Sequence, residues 1–102
     1  MNVKMDRARM TLGRLLEQSD LTSGMSVRVH GDHLLLGRDE TSPRGSKRET
    51  VDRVRLTRLT AATYGLSVRR HTGRWERTPF SGSIPEMVEV MRTYMQHLVA
   101  PG

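Results

Sequence analysis

The stretch MSVRVHGDHLLLGR, residues 25–38, contains the clearest β-sheet signal of the chain. Gly31-Asp32 suits a two-residue type II′ turn, because the first position of that turn favours glycine. With this turn, His30 faces His33 and the flanking residues pair outward from it. The pairing places four apolar side chains on one face: Val27, Val29, Leu34 and Leu36. Since a slip of one residue would move them all to the other face, turn chemistry and apolar pattern together predict this hairpin.

A polar, charged segment follows the hairpin, RDETSPRGSKRET at residues 38–50. It has no apolar periodicity, and we expect a flexible connection that is longer than most loops inside a compact domain. Three further strands are predicted beyond it. The first two carry these apolar side chains on one face: Val54 and Leu56, then Tyr64, Leu66 and Val68. The third lies in RWERTPF, where Pro79 should end the strand or sit on a sheet edge.

Helices are predicted at both ends of the chain. The first has apolar residues at helical spacing: Met5, Ala8, Leu12, Leu15 and Leu16. The last begins with a capping box, Ser83 and Glu86, and has Pro85 in its first turn. Its apolar stripe comprises Ile84, Met87, Val88, Met91, Met95, Leu98 and Val99. The order α-β-β-β-β-β-α predicts an α+β fold, an antiparallel sheet of about five strands with the N-terminal and C-terminal helices packed on one face.

Length and composition restrict the class of protein. The 102 residues predict a single domain, 1–102, with the flexible polar loop at about 38–50. The absence of cysteine excludes disulfides and thiolate chemistry. No apolar run has the length of a membrane span or a signal peptide, so we expect a cytoplasmic protein with no membrane partner. No nucleophile motif, phosphate-binding loop or acid–base pair is recognisable, and His30 and His33 have too few neighbours for a zinc site. We therefore expect neither an enzyme nor a cofactor or metal.

The positive charge is concentrated in one part of the chain. The formal net charge is +6, and residues 51–83 contain seven arginines against Asp52 and Glu76. Fifteen of the seventeen basic residues are arginine, which suits bidentate recognition of phosphate or carboxylate. Arginine-rich codon usage in a GC-rich genome explains the same bias, so composition alone does not assign a ligand.

The turn within SVRRHTGRWERTPF, residues 67–80, decides the position of Trp75. A two-residue loop at Thr72-Gly73 would place Trp75 beneath the helices, which we favour because burying an indole removes about 150–250 Å² from water. The open face would then collect five arginines: Arg28, Arg53, Arg55, Arg69 and Arg74. A three-residue loop with Gly73 in the left-handed bulge position is the alternative. It would move Trp75 to the open face, where the arginines and the indole would resemble a base-stacking platform.

These patterns lead to two hypotheses of function. The first is a small binding module whose five open-face arginines engage nucleic acid or another polyanion, such as an acidic protein. The second is a protein-interaction or homodimerising module, in which Val90, Tyr94 and Ala100 extend the apolar strip of the last helix. Against both stands an ordinary explanation for the arginines, a solvated sheet face without a ligand.

Overall fold

The computed structural model describes residues 3–41 and 48–100. Within these ranges the chain forms one helix, five strands and two helices, in that order. The elements are α1 (Val3–Glu17), β1 (Ser26–His30), β2 (His33–Thr41), β3 (Arg48–Arg58), β4 (Tyr64–Arg69), β5 (Trp75–Gly82), α2 (Ile84–Tyr94) and α3 (Gln96–Val99). The strands lie side by side in chain order, and each pairs antiparallel with the next. The predicted α+β fold is confirmed.

The helices cover one face of the sheet. α1 contacts β1 and α2, while α2 also contacts β4 and β5. The fully buried side chains between the layers are Met5, Leu12, Leu16, Leu34, Leu36, Val54, Leu56, Leu66, Val88, Met91 and Val99. Each such burial stabilises the fold by roughly 1.5–3 kcal/mol. The predicted apolar faces are thus the core. None of the helices in the described ranges is long and apolar enough to cross a bilayer.

The β1–β2 hairpin has the predicted two-residue turn. His30 pairs with His33, and Gly31 has a φ of 60°. No residue other than glycine has a positive φ in the described ranges, so Asp32 has a negative one. A positive φ at the first central position alone is the signature of a type II′ turn. The type II′ turn predicted from Gly31 is therefore confirmed.

Both ends of the predicted loop at 38–50 are strand. β2 continues to Thr41 and β3 begins at Arg48, so the prediction was wrong for residues 38–41 and 48–50. Asp39 pairs with Thr50, whose hydroxyl donates to the Asp39 carboxylate at 2.7 Å. This end of the hairpin is largely exposed, and it holds together through polar cross-strand pairs that leave no apolar alternation in the sequence. Residues 42–47 of the predicted loop lie outside the described residues.

Polar contacts fix the ends of the helical layer. The predicted capping box is present: Ser83 N donates to Glu86 Oε1 at 3.0 Å, and Glu86 N donates to Ser83 Oγ at 3.3 Å. On β2, the Arg38 guanidinium donates to three carbonyl oxygens on the helix-covered side: those of Leu21, Ser23 and Val99, at 2.7–2.9 Å. Arg38 thereby ties α3 and the turn after α1 to the sheet.

Candidate functional site

The β4–β5 turn has three residues in its loop rather than two. Arg70 N donates to Arg74 O at 2.8 Å, and Gly73 N donates to Arg70 O at 2.8 Å. Gly73 has a φ of 87°, in the left-handed region where a glycine costs least. The loop therefore takes the alternative conformation considered above, with Gly73 as the bulge residue.

This loop places Trp75 on the open face, so its predicted core position was wrong. Trp75 pairs with Arg69 across the strands and shares that residue's face. The indole is still half-buried, because the Arg55 guanidinium carbon lies 4.9 Å from the ring centroid. A cation–π contact of this kind contributes about 0.5–1 kcal/mol at an exposed site. Partial cover by an arginine thus replaces the helical cover that we expected.

The small side chain of Ser67, on the strand between β3 and β5, lets Arg55 reach Trp75. Arg55 on β3 pairs with Ser67 on β4, which in turn pairs with Arg77 on β5. Two strand spacings, about 9.6 Å, separate β3 from β5. Ser67 is only 4% exposed although it lies on the uncovered face, since the larger side chains around it close over it. We call the group formed by Arg55, Ser67, Arg69, Trp75 and Arg77 the Arg–Trp face.

The three arginines of the Arg–Trp face have no carboxylate partner among the described residues. The ion pairs found there are Arg28–Asp52 at 2.5 Å, Arg53–Glu40, Arg70–Glu76 and Arg92–Glu89 at 3.6 Å. Nε of Arg55 is buried and lacks a hydrogen-bond acceptor. An uncovered sheet surface with three uncompensated guanidinium groups beside an indole attracts anions.

The five predicted arginines separate into two groups. Arg55 and Arg69 belong to the Arg–Trp face. Arg28 lies on the same side of the sheet but is paired with Asp52. Arg53 is the extra residue of a β-bulge, because Leu36 pairs with Val54 and Gly37 with Asp52, and it is paired with Glu40.

Arg74 does not join the Arg–Trp face. It precedes β5 and lies opposite Arg70 at the end of the loop, so it shares the side of Arg70, which is opposite to that of Arg69 and Trp75. The two-residue loop would have put it with Arg69; the three-residue loop puts Arg77 there instead. Sequence reasoning therefore missed Arg77, and it gave the open-face position of Trp75 only as the alternative that the His71-Thr72-Gly73 loop implies.

The paired histidines at the β1–β2 turn do not extend to a metal centre. His33 Nδ1 lies 2.8 Å from Thr57 Oγ1 on β3, so one ring nitrogen is already engaged. In residues 3–41 and 48–100 no three His, Cys, Asp or Glu side chains come together as metal ligands. Burial lowers the pKa of His33 below 6.5, and the nearby Arg55 and His30 lower it further, against a smaller opposing effect of Asp32. His33 is therefore a neutral imidazole at neutral pH.

An aromatic pair joins β5 to the end of α2. Tyr94 at the end of α2 is 65% exposed, and its ring stacks on Phe80 of β5 with centroids 5.6 Å apart. Val90, one turn earlier, is half-buried. This surface is the apolar strip on which the homodimer hypothesis depends.

Comparison with known proteins provides no relative from which a role could be transferred. No protein-family model, no curated protein and no solved structure matches this chain.

Proposed function

We propose that the chain is a binding module, without a catalytic role, whose Arg–Trp face binds single-stranded nucleic acid. In this proposal Arg69 and Arg77 contact backbone phosphates, while Trp75 and the Arg55 guanidinium stack on bases. The observation that supports it best is the placement of a half-buried indole on an uncovered sheet face, among three arginines without carboxylate partners. Modules that bind single strands combine a basic surface with aromatic side chains in this way.

A single strand fits this surface better than a duplex. Stacking on Trp75 requires an unpaired base, since the bases of a duplex stack on each other. Guanidinium planes also stack on bases, so the Arg55–Trp75 contact offers two neighbouring stacking groups. A sheet face with one indole has no helix or ribbon that could enter a major groove.

The test uses tryptophan fluorescence. Trp75 is the only tryptophan of the chain, so quenching on addition of an oligonucleotide reports directly on this face. The salt dependence measures the phosphate contacts, with a slope of about −0.7 in log K against log salt for each contact with a single strand. The two phosphate contacts, from Arg69 and Arg77, predict a slope of about −1.4. Absence of binding at low salt would overturn the proposal.

Variants assign the contacts to the Arg–Trp face. Arg69→Ala and Arg77→Ala should each make the salt slope shallower by about 0.7. Trp75→Leu should weaken binding by about 1–3 kcal/mol with the slope unchanged, measured by the anisotropy of a labelled oligonucleotide. Arg9→Ala and Arg14→Ala are the controls, because both arginines are exposed on α1 in the layer that covers the other face. Equal losses in the control variants would mean that the binding is not specific to this face.

An acidic protein segment is the other anionic partner that this face could accept. An acidic segment has no bases that could stack on Trp75, so its binding would depend on the arginines alone. Polyglutamate that displaces the oligonucleotide at equal charge concentration, with no effect of Trp75→Leu on either ligand, would favour this partner over nucleic acid.

The second candidate function is homodimerisation through α2, favoured by the exposed Tyr94. Half of a stable interface buries about 800 Å², with aromatic residues at its centre. Sedimentation at high concentration should show a dimer that Tyr94→Ser dissociates. A monomer at all concentrations would exclude this function and leave the nucleic-acid proposal unaffected.

A further inference from the structure

A groove of about 230 Å³ lies beside the Arg–Trp face. Arg55 and Arg77 line it together with His33 and Thr57. Its wall arises from an irregularity of the edge strand. Gly65 pairs with Ser81 and Ser67 pairs with Arg77, so two more residues lie between the partners on β5 than between those on β4. The surplus stretch of β5, residues 78–80, lines the groove, and the Thr78 hydroxyl donates to the Leu66 carbonyl oxygen of β4 at 2.8 Å.

The groove begins where the Arg–Trp face ends. Ser67 lies two residues along β4 from Arg69, the partner of Trp75, and Gly65 lies four residues along. At about 3.3 Å per residue, these positions are about 7 Å and 13 Å from the tryptophan row. Because Arg55 and Arg77 belong to both the face and the groove, a strand bound at Trp75 extends into the groove without leaving the basic surface.

Polar groups in the groove suit the edge of a base. The Thr57 hydroxyl both donates and accepts hydrogen bonds, so its 2.8 Å contact with Nδ1 is compatible with either tautomer of His33. Nε2 of His33 can consequently present a donor or an acceptor to a ligand. The lowered pKa of His33 keeps the imidazole neutral, which preserves this choice.

The size of the groove limits its ligand. Pockets for drug-sized ligands measure about 300–1,000 Å³, so a smaller groove suits a single ring system. Gly65 contributes no side chain to the lining, which leaves room for a flat group. Arg77, which contacts a phosphate in the proposed function, also lines the groove and favours a ring that carries a phosphate, as each nucleotide of a strand does.

We propose that this groove holds one unstacked base of the bound strand and recognises its polar edge, which gives the module a base preference at one position. The inference rests on the proposed function. Stacking on Trp75 tolerates every base, whereas hydrogen bonds to a base edge discriminate between bases. The groove is thus the part of the surface that can supply selectivity.

The test measures the affinity of the whole chain for four labelled homopolymeric DNA strands of about 12 nucleotides, within the site sizes known for single-strand modules. The wild-type chain should bind one homopolymer about threefold to tenfold more tightly than the weakest, as one or two hydrogen bonds allow. Thr57→Val removes a hydroxyl that lines the groove and holds Nδ1 of His33, with little change of shape, so it should abolish this preference while the salt slope persists. Thr50→Val is the matched control, since Thr50 lies on the same strand away from the groove and should keep the preference.

A second variant fills the groove. Gly65 has no positive φ, and a Cβ atom there would make ordinary contact with Leu59 Cδ1 at 3.4 Å, so the strand accepts Gly65→Val. Its two γ carbons occupy space in the groove that a base would need, so this variant should also lose the preference. Equal binding of all four homopolymers by the wild type, or a preference that survives Thr57→Val, would overturn the inference alone. No binding of any homopolymer would overturn the proposed function and the inference with it.

Discussion

The two faces of the sheet use arginine in opposite ways. On the helix-covered side, Arg38 gives its hydrogen bonds to three carbonyl oxygens and joins the C-terminal helix to the sheet. On the open side, Arg69 and Arg77 have no ion-pair or hydrogen-bond partner among the described residues. An arginine that donates to several partly buried carbonyl oxygens thus has a structural role, whereas an arginine on an uncovered sheet face is available to a ligand.

The two faces also differ in their contribution to stability. Leu56 is fully buried, whereas its neighbour on the same strand, Arg55, is half-exposed and points to the other face. Apolar burial is the dominant favourable term in folding, so the covered face should hold most of the stability. The open face can then change without unfolding the chain, which is what a binding surface requires.

The largest expected effect compares these two neighbours. Leu56→Ala should lower the free energy of unfolding by about 2–5 kcal/mol, because it removes apolar burial and leaves a cavity. Arg55→Ala should lower it by no more than about 1 kcal/mol, the value of its contact with Trp75. Urea denaturation of both variants measures the difference. Similar losses would mean that the open face is part of the stabilising core.

The next comparison concerns the two kinds of arginine. Arg38→Met should cost about 2–4 kcal/mol, since it leaves three carbonyl oxygens without their charged donor. Arg69→Met introduces the same side chain on the open face and should stay within about 0.5 kcal/mol. Thermal unfolding of the two variants provides the measurement. A large loss in Arg69→Met would contradict the view that Arg69 is free for a ligand.

A smaller effect is expected at the turn that sets the face of Trp75. Gly73→Ala should cost about 1–2 kcal/mol, because a φ of 87° is unfavourable for a residue with a Cβ atom. Gly73→Asn should cost less, since asparagine tolerates the left-handed region better. Chemical denaturation measures the free energy of unfolding of both variants, and the fluorescence maximum of Trp75 reports whether the indole keeps its position. An alanine variant as stable as the wild type would mean that this glycine does not select the three-residue loop.

The sequence predicted the fold wherever local signals agreed with one another. In the β1–β2 hairpin the turn chemistry of Gly31 and the apolar alternation required the same register, and both were right. At the far end of β2 and β3 no apolar residue alternates, because polar side chains line an exposed ribbon. That end was consequently mistaken for a loop. Strand pairing between polar residues leaves little trace in composition.

The site was predictable where the strand phase was fixed by apolar neighbours. Leu56 and Val68 set the phase of β3 and β4, and they placed Arg55 and Arg69 correctly. The phase of β5 depends instead on whether the preceding loop has two or three residues. The loop has three, with Gly73 in the left-handed region, and Trp75 lies on the open face although the other loop would have buried its indole.

The partner of Arg28 depends on a bulge that a strand glycine could have signalled. A Cβ atom at Gly37 would lie 2.6 Å from the Val51 carbonyl oxygen, so only glycine permits this close approach. The resulting register brings Asp52 opposite Gly37, where its carboxylate reaches Arg28. Ion pairs between distant residues, such as this one, depend on the pairing register of β2 and β3, which was not predicted from the sequence at this bulge.

The smallest effect concerns the protonation of His33 on the open face. Burial is the largest cause of the lowered pKa of His33, and the positive charge of Arg55 is the next. Arg55→Gln should therefore raise the pKa of His33 but leave it below 6.5, whereas Arg69→Gln should leave it unchanged. Proton NMR of the imidazole resonances across a pH titration measures both variants.

The same shift has a consequence for stability. Between the lowered pKa of folded His33 and 6.5, the unfolded chain binds more protons than the folded one. The contribution of His33 to stability is therefore complete above pH 6.5 and declines as the pH falls through this window. In Arg55→Gln the window narrows, so the acid side of the stability profile should be shallower than in Arg69→Gln. A pKa of His33 that is the same in the wild type and in Arg55→Gln would show that the positive charge of Arg55 does not act on this imidazole.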